Sequence, residues 1–322
     1  MNCKNLLLRY SLLYRFAKLI KKDNIQSFNF KKKPLSEFKE ILVKGIDSCQ
    51  NSIIKKIFSD LSPYKQSIDI YLHGSWADNT KTPFSDLDDF ILLDIKKINK
   101  NQELEKICTI LNKIDMKFCR IDPLQHHGHW IVNKEDLMNY DNSFMPLHIL
   151  KESKVVLGNS LVSGKINIKL SDEGLIKNII NTCSSIRKLS NKFFENSINS
   201  YELKGLVGSF ALMPAFIMQK KGLDYTKPEA INKAQSVFSN NALSCIEWST
   251  NNRRNWAVIT ENLKFKIFGL LTYLFLDPHL WRRFSGKFSP QIKPHQIKAL
   301  SCVPLNKESV DLFISESLTY AK

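Results

Sequence analysis

Ser85-Asp86-Leu87-Asp88 sets two carboxylates two residues apart, and Leu87-Asp88-Asp89-Phe90-Ile91-Leu92-Leu93 continues as an apolar run. Such a run reads as a β-strand. Side chains alternate faces along a strand, so Asp86 and Asp88 point the same way and Asp89 points opposite. Two carboxylates side by side repel each other. A divalent cation between them removes that repulsion and can grip a polyphosphate. A short loop upstream stands His73-Gly74-Ser75, at the end of a second apolar run, Ile68-Asp69-Ile70-Tyr71-Leu72. Glycine in that turn lets the backbone approach an anion where a side chain would block it. The bland alternative is a tight turn followed by solvent-facing acids. The whole string, with a strand on each side, favours the phosphate-and-metal reading.

This arrangement, a Gly-Ser turn after one strand and D-x-D on the next, resembles the nucleotidyltransferase superfamily of the DNA polymerase β type. The resemblance implies that Gly74 and Ser75 touch the triphosphate of an NTP. It implies that Asp86 and Asp88 ligate Mg²⁺ or Mn²⁺. Members of this family carry a third carboxylate on the next strand, which orients or deprotonates the attacking hydroxyl. Met116–Ile121 reads as that strand, which makes Asp122 the candidate for the third acid and third metal ligand. Pro123 directly follows it and makes the position irregular. The next residues, Gln125-His126-His127-Gly128-His129, are not part of the common family pattern. An imidazole there can serve as a ligand or as a general base near neutral pH, and His127 is the one taken forward. If the segment is extended, His127 and His129 share a face and His126 points away. The alternative is a polar loop with hydrogen-bonded histidines.

A second resemblance lies further on. Gly222-Leu223-Asp224-Tyr225-Thr226-Lys227-Pro228-Glu229-Ala230 is similar to a turn of the antibiotic nucleotidyltransferases in which a lysine reaches the nucleotide phosphates. Lys227 holds the matching position and Lys204 is a second nucleotide-binding candidate. Thr226 is also a good N-cap and Pro228 a good early helical residue, which by themselves would leave Lys227 a solvent lysine at a helix start. Arg253-Arg254 and Arg282-Arg283 adjoin Trp256 and Trp281. Such pairs can hold RNA, and more often are solvated charges beside core tryptophans.

The elements that must position these residues fall into two parts. A chain of 322 residues is long enough for two cores. Residues 1–34 read as a basic amphipathic helix and a linker, 35–165 as the catalytic domain, and 166–322 as a helical accessory domain. Ser36 reads as the N-cap of one long helix running to Leu61. Gln102–Ile114 reads as a helix, Trp130-Ile131-Val132 as a short strand, and Val155-Val156-Leu157-Gly158 as an apolar stub that closes the domain. From Ser171 onward strand signals vanish, and helices are expected near 171–197, 199–221, 227–239, 241–250, 260–276 and 289–300. The fold class is therefore an α/β nucleotidyltransferase domain with a mixed sheet, followed by an all-α domain.

The net charge of +16 favours polyanionic partners such as nucleotides or RNA, although lysines scattered along the chain give the same total. Seven cysteines without a C-x-x-C pair read as reduced thiols of a cytoplasmic protein. No stretch is long and apolar enough to cross a membrane. The expected reaction is Mg²⁺-dependent transfer of a nucleoside monophosphate to an acceptor hydroxyl on an RNA end, a nucleotide or a small molecule. Transfer of AMP to a protein, and a nucleotide-binding pseudoenzyme, are the alternatives.

Overall fold

The computed structural model describes residues 38–43, 49–77, 81–98, 101–134, 139–141, 153–158, 164–169, 172–223, 225–256, 278–301 and 303–322. The expected N-terminal helix and the expected helix near 260–276 lie outside them.

Strand β1, Phe38–Val43, is the first described element, and helix α1 spans Ser52–Phe58. The single helix expected from Ser36 to Leu61 is therefore wrong. Asn51 begins the helix instead, its side chain accepting the N–H groups of Ile53 and Ile54. β1 finds strand partners far along the chain, which local helical periodicity does not reveal. It pairs antiparallel with β7, Gly164–Lys169, and β7 pairs parallel with β5, Asn139–Asp141.

The main sheet has the order β4-β3-β2-β6. β2 is Ile68–His73, β3 is Asp88–Leu93, β4 is Trp130–Asn133 and β6 is Lys154–Leu157. β2 runs antiparallel to β3 and β6, while β4 runs parallel to β3. All residues of β2 are buried, as are Asp89 to Leu93 of β3. A parallel partner needs a crossover, and α2 (Asn101–Ile121) lies in that connection.

α2 absorbs the strand expected at Met116–Ile121. Ile107, Cys108, Leu111, Ile114, Phe118 and Cys119 are all buried. Their three- and four-residue spacing is one helical stripe, and it continues past Ile114 without a break. Each fully buried Leu, Ile or Phe in such a stripe contributes about 1.5–3 kcal/mol, enough to override the β-preference of a short segment. The stripe packs with Ile54, Phe58, Leu61, Ile70, Leu72 and Ile91 into one core.

The second part is helical, as expected: α3 (Asp172–Phe194), α4 (Ser200–Lys220), α5 (Lys227–Asn232), α6 (Asn240–Arg254), α7 (Pro278–Phe288), α8 (Pro294–Leu300) and α9 (Lys307–Thr319). α7 and α9 were not expected from the sequence. α4 is apolar nearly all round and runs through the middle of this core, with Leu203, Leu206, Val207, Phe210, Met213 and Ile217 fully buried. Two residues of the α/β part, Phe84 and Leu124, belong to the same cluster.

Candidate active site

His73 stands directly across from Asp88 in the β2–β3 ladder. The Gly74-Ser75 turn and the acid pair therefore share one end of the sheet. Gly74 has φ +68°, in the left-handed region that favours glycine. A Cβ there would lie 3.6 Å from the Asp88 carboxylate, so the turn backbone closely adjoins the acids. Hydrogen bonds brace the β2–β3 loop. Thr82 N–H donates to Ser85 Oγ at 3.0 Å and Trp76 Nε1 to the Ser85 carbonyl at 3.4 Å.

Alternation holds on β3. Asp89 faces away from the site and meets His129, with Nδ1 2.5 Å from Oδ2 and both side chains 1% exposed. The other nitrogen of His129 lies 2.8 Å from the Leu111 carbonyl, which ties the sheet to α2. Burial would lower the imidazole pKa, but the Asp89 carboxylate prevails and raises it to about 9. His129 is a structural ion pair.

The other two histidines flank the acids. β4 is parallel to β3 with Trp130 beside Phe90, so the residues preceding Trp130 lie alongside those preceding Phe90. His126 Nδ1 is 3.9 Å and His127 Nε2 is 4.0 Å from Asp86 Oδ2. The extended-segment parity is thus overturned: His126 and His127 come together, and His129 turns away. The segment is not yet a strand at these positions. Gln125 sets its course. Its buried amide accepts the Leu87 N–H at 3.0 Å and donates to the carbonyls of Leu87, at 2.7 Å, and His127, at 3.0 Å. Burial lowers the His126 pKa to about 4, and its ring packs on Tyr201 at 4.0 Å between centroids. His127 is half exposed.

Asp122 follows α2 directly rather than a strand. It nevertheless lies beside Asp86, and the Lys204 ammonium, from the first turns of α4, donates to both carboxylates. The other Asp122 oxygen accepts the Leu124 N–H at 3.0 Å. A lysine in a helix buried on all sides needs such partners. Burial acts to raise the Asp86 pKa, but Lys204, His126 and His127 together hold its carboxyl well below the usual range. Burial instead pushes Asp122 up to about 7. Lys204 is shared between the two carboxylates, and both Asp122 oxygens accept hydrogen bonds. Lys204, expected to bind nucleotide, is paired with these two acids.

Lys227 begins α5 as expected, after a Thr226–Glu229 capping box. Its side chain is half-buried. Burial and the neighbouring Arg253 lower its pKa to about 7, against the opposing pull of Asp88 and Asp86. Phe84 is flanked by two cations, Lys204 Nζ at 5.4 Å and Arg253 Cζ at 5.5 Å from its centroid. Sequence reasoning missed Phe84 and gave Arg253 no place near the acids. Arg282, read as an RNA-binding candidate, instead pairs with Asp115 and donates to the His127 carbonyl at 2.9 Å.

Residues 52–123 match the family model of the nucleotidyltransferase domain. This stretch is of the polymerase β-type superfamily. The match includes Gly74, Ser75, Asp86, Asp88 and Asp122 and ends before the histidines. No curated protein and no solved structure matches the chain.

The donor set fits a hard cation. Mg²⁺ is commonly held by one or two carboxylates plus substrate phosphates rather than by an all-protein cage. Asp86, kept anionic, and Asp88, partly exposed beside the Gly74 turn, supply such a pair. Among the described residues no three His, Cys, Asp or Glu side chains are grouped so as to hold a metal ion by themselves.

Proposed function

We propose that the chain transfers a nucleoside monophosphate from an NTP to an acceptor hydroxyl, releasing pyrophosphate. The supporting observation is the convergence of the Gly74-Ser75 turn and the Asp86/Asp88 pair at one end of the sheet, faced by Lys227. Ser75 and the turn backbone bind phosphate oxygens, and Lys227 adds positive charge to the polyphosphate. Asp86 and Asp88 are the residues that would hold Mg²⁺ or Mn²⁺, which when bound supplies charge neutralisation at the phosphoryl oxygens.

The acceptor oxygen attacks the α-phosphorus in line, and the bond to the pyrophosphate oxygen breaks. His127 accepts the acceptor's proton at Nε2. It is the half-exposed imidazole beside Asp86, whereas Asp122 is committed to Lys204 and the Leu124 N–H. Asp122 and Lys204 thereby position Asp86. RNA ends and nucleotides are the favoured acceptors for a chain of charge +16. Cationic small molecules need an acidic cleft, and the Lys227–Arg253 side of this one is basic.

The test is incubation with each α-labelled NTP, with and without total RNA, followed by a search for labelled product. Label in RNA or in a nucleotide supports the reading. Label in protein selects AMP transfer to protein instead. Nucleotide binding without pyrophosphate release under every condition identifies a pseudoenzyme.

A further inference from the structure

The loop between α2 and β4 carries His126 and His127 past Asp86, and helix α7 holds it at two places. Trp281 Nε1 and Ser285 Oγ donate to the Pro123 carbonyl at 3.0 and 3.2 Å. One terminal nitrogen of Arg282, Nη2, donates to the His127 carbonyl at 2.9 Å and also to the Asp115 carboxylate of α2. The same His127 carbonyl accepts the Gln125 amide at 3.0 Å, so both of its lone pairs are used. The next residue, Gly128, lies against the ion pair. A Cβ there would stand 3.0 Å from the Asp115 carboxylate and 3.1 and 3.2 Å from the two terminal nitrogens of Arg282.

An ion pair that only docked α7 on α2 would not need the loop between them. Here the Arg282 and Asp115 side chains are both buried, and the loop backbone completes the guanidinium's hydrogen bonding. The guanidinium is a rigid planar fork, so fixing it on Asp115 also fixes where the His127 carbonyl must lie. The His127 peptide is thus held while its ring stays half-exposed, with Nε2 4.0 Å from Asp86 Oδ2. Arg283, the neighbour of Arg282, is exposed and takes no part.

We propose that Arg282 is a positioning residue that holds the His127 peptide so that its imidazole stays beside Asp86, with Gly128 giving the loop access to the Arg282–Asp115 pair. The assignment rests on the nucleotidyl-transfer reading with His127 as proton acceptor. It makes the seating of α7 a condition for removing the acceptor's proton.

The experiment measures transfer from α-labelled NTP in the presence of total RNA, as apparent kcat and KM for the NTP, on the full chain. Wild type is compared with Arg282→Met, Arg282→Lys, Gly128→Ala and Arg283→Gln. The first three are also combined with His127→Ala. Rates are taken below the lowest melting temperature of the set. Arg282→Met and Gly128→Ala should each lower kcat by about 10- to 100-fold, the cost of misplacing a reacting group by about an ångström. KM should stay within about twofold, since nucleotide binding is untouched. Arg282→Lys should recover part of the loss, and Arg283→Gln should match wild type. In the His127→Ala background neither change should lower kcat further, because a residue that acts only through His127 has nothing left to position. Losses that multiply with His127→Ala, or that appear in KM instead of kcat, reduce Arg282 to a structural contact and overturn the proposal. So does a kcat within about twofold of wild type for Gly128→Ala, which keeps both partners of the ion pair and carries the test if Arg282→Met melts early. In each of these cases His127→Ala still slows the wild type and the reading of the site survives. If His127→Ala transfers at the wild-type rate, His127 is no proton acceptor and Arg282 positions nothing. A wild type that transfers no label under any condition removes the nucleotidyl-transfer reading and this assignment together.

Discussion

The His129–Asp89 pair gives the protein a stability that depends on pH in a specified direction. His129 has a folded pKa of about 9 against an ordinary value of 6.5. Below the unfolded value both states carry the proton, and the pair's contribution is fully present. As pH rises from about 6.5 towards 9, the unfolded state releases its proton first, and the contribution is lost. A shift of this size corresponds to about 3 kcal/mol, at 1.36 kcal/mol per pKa unit. Both side chains are 1% exposed, so little of it is screened. The perturbation is His129→Gln, which keeps a polar group near the Leu111 carbonyl and removes the charge. Denaturant unfolding of wild type and variant at pH 6, 7.5 and 9 supplies the free energies. At pH 6 the wild type should be more stable by about 3–5 kcal/mol, the cost of leaving one buried charge unpaired. By pH 9 the part due to the raised His129 pKa, about 3 kcal/mol at 1.36 kcal/mol per unit, should have closed, because titrating groups away from the pair are shared and cancel in the difference. A gap that stays constant from pH 6 to 9 would refute the charge argument and reduce His129 to packing against Phe118 and β3.

The combined Asp86→Ala, Asp88→Ala variant should lose label transfer and keep its melting temperature within a few degrees, since Lys204 retains Asp122. A melt lowered by tens of degrees would show that the acids hold the fold. Ser75→Ala should weaken NTP binding by about 1.5–3 kcal/mol if its hydroxyl donates to a phosphate oxygen; an unchanged dissociation constant would remove it from the site. Gly74→Ala should cost about 1–2 kcal/mol in stability for forcing a side chain to φ +68°, read as a shift in denaturant midpoint. His127→Ala should lower the rate of transfer with nucleotide affinity within about twofold, and an unaffected rate would end its role as proton acceptor.

Local sequence carried the parts of the site that depend on local geometry. Strand alternation separated Asp88 from Asp89, which turns away to meet His129; Asp86 precedes β3, so the register itself covers only Asp88 and Asp89. The Thr226 N-cap and the start of α5 were equally local. What failed were features decided by distant partners. β1 is a strand because β7 lies 121 or more residues away to pair with it. Met116–Ile121 is helix because its apolar stripe lines up with the turns before it. His126 joins His127 because Gln125 reaches across to Leu87 and bends the approach to β4. Arg253 gave no signal beyond a basic dipeptide, since its meaning comes from Phe84, far off in sequence.

The common reason is that the helical domain packs on the end of the sheet that carries the acids. Phe84 enters the helical core, and Lys204 from α4 neutralises Asp86 and Asp122. α7 grips the loop between them: Trp281 Nε1 and Ser285 Oγ donate to the Pro123 carbonyl, and Arg282 donates to that of His127. The third acid was expected to act on the acceptor because it follows the D-x-D strand in the chain. Here a buried ammonium occupies Asp122, and the parallel strand brings imidazoles to the acids instead. Under the proposed function, burial divides the roles. Asp122, 7% exposed, suits a fixed partner for Lys204, and His127, half exposed, suits a group that must meet a hydroxyl arriving from solvent. The α/β unit supplies the turn and the acids, and the helical domain supplies the lysine that joins Asp86 to Asp122.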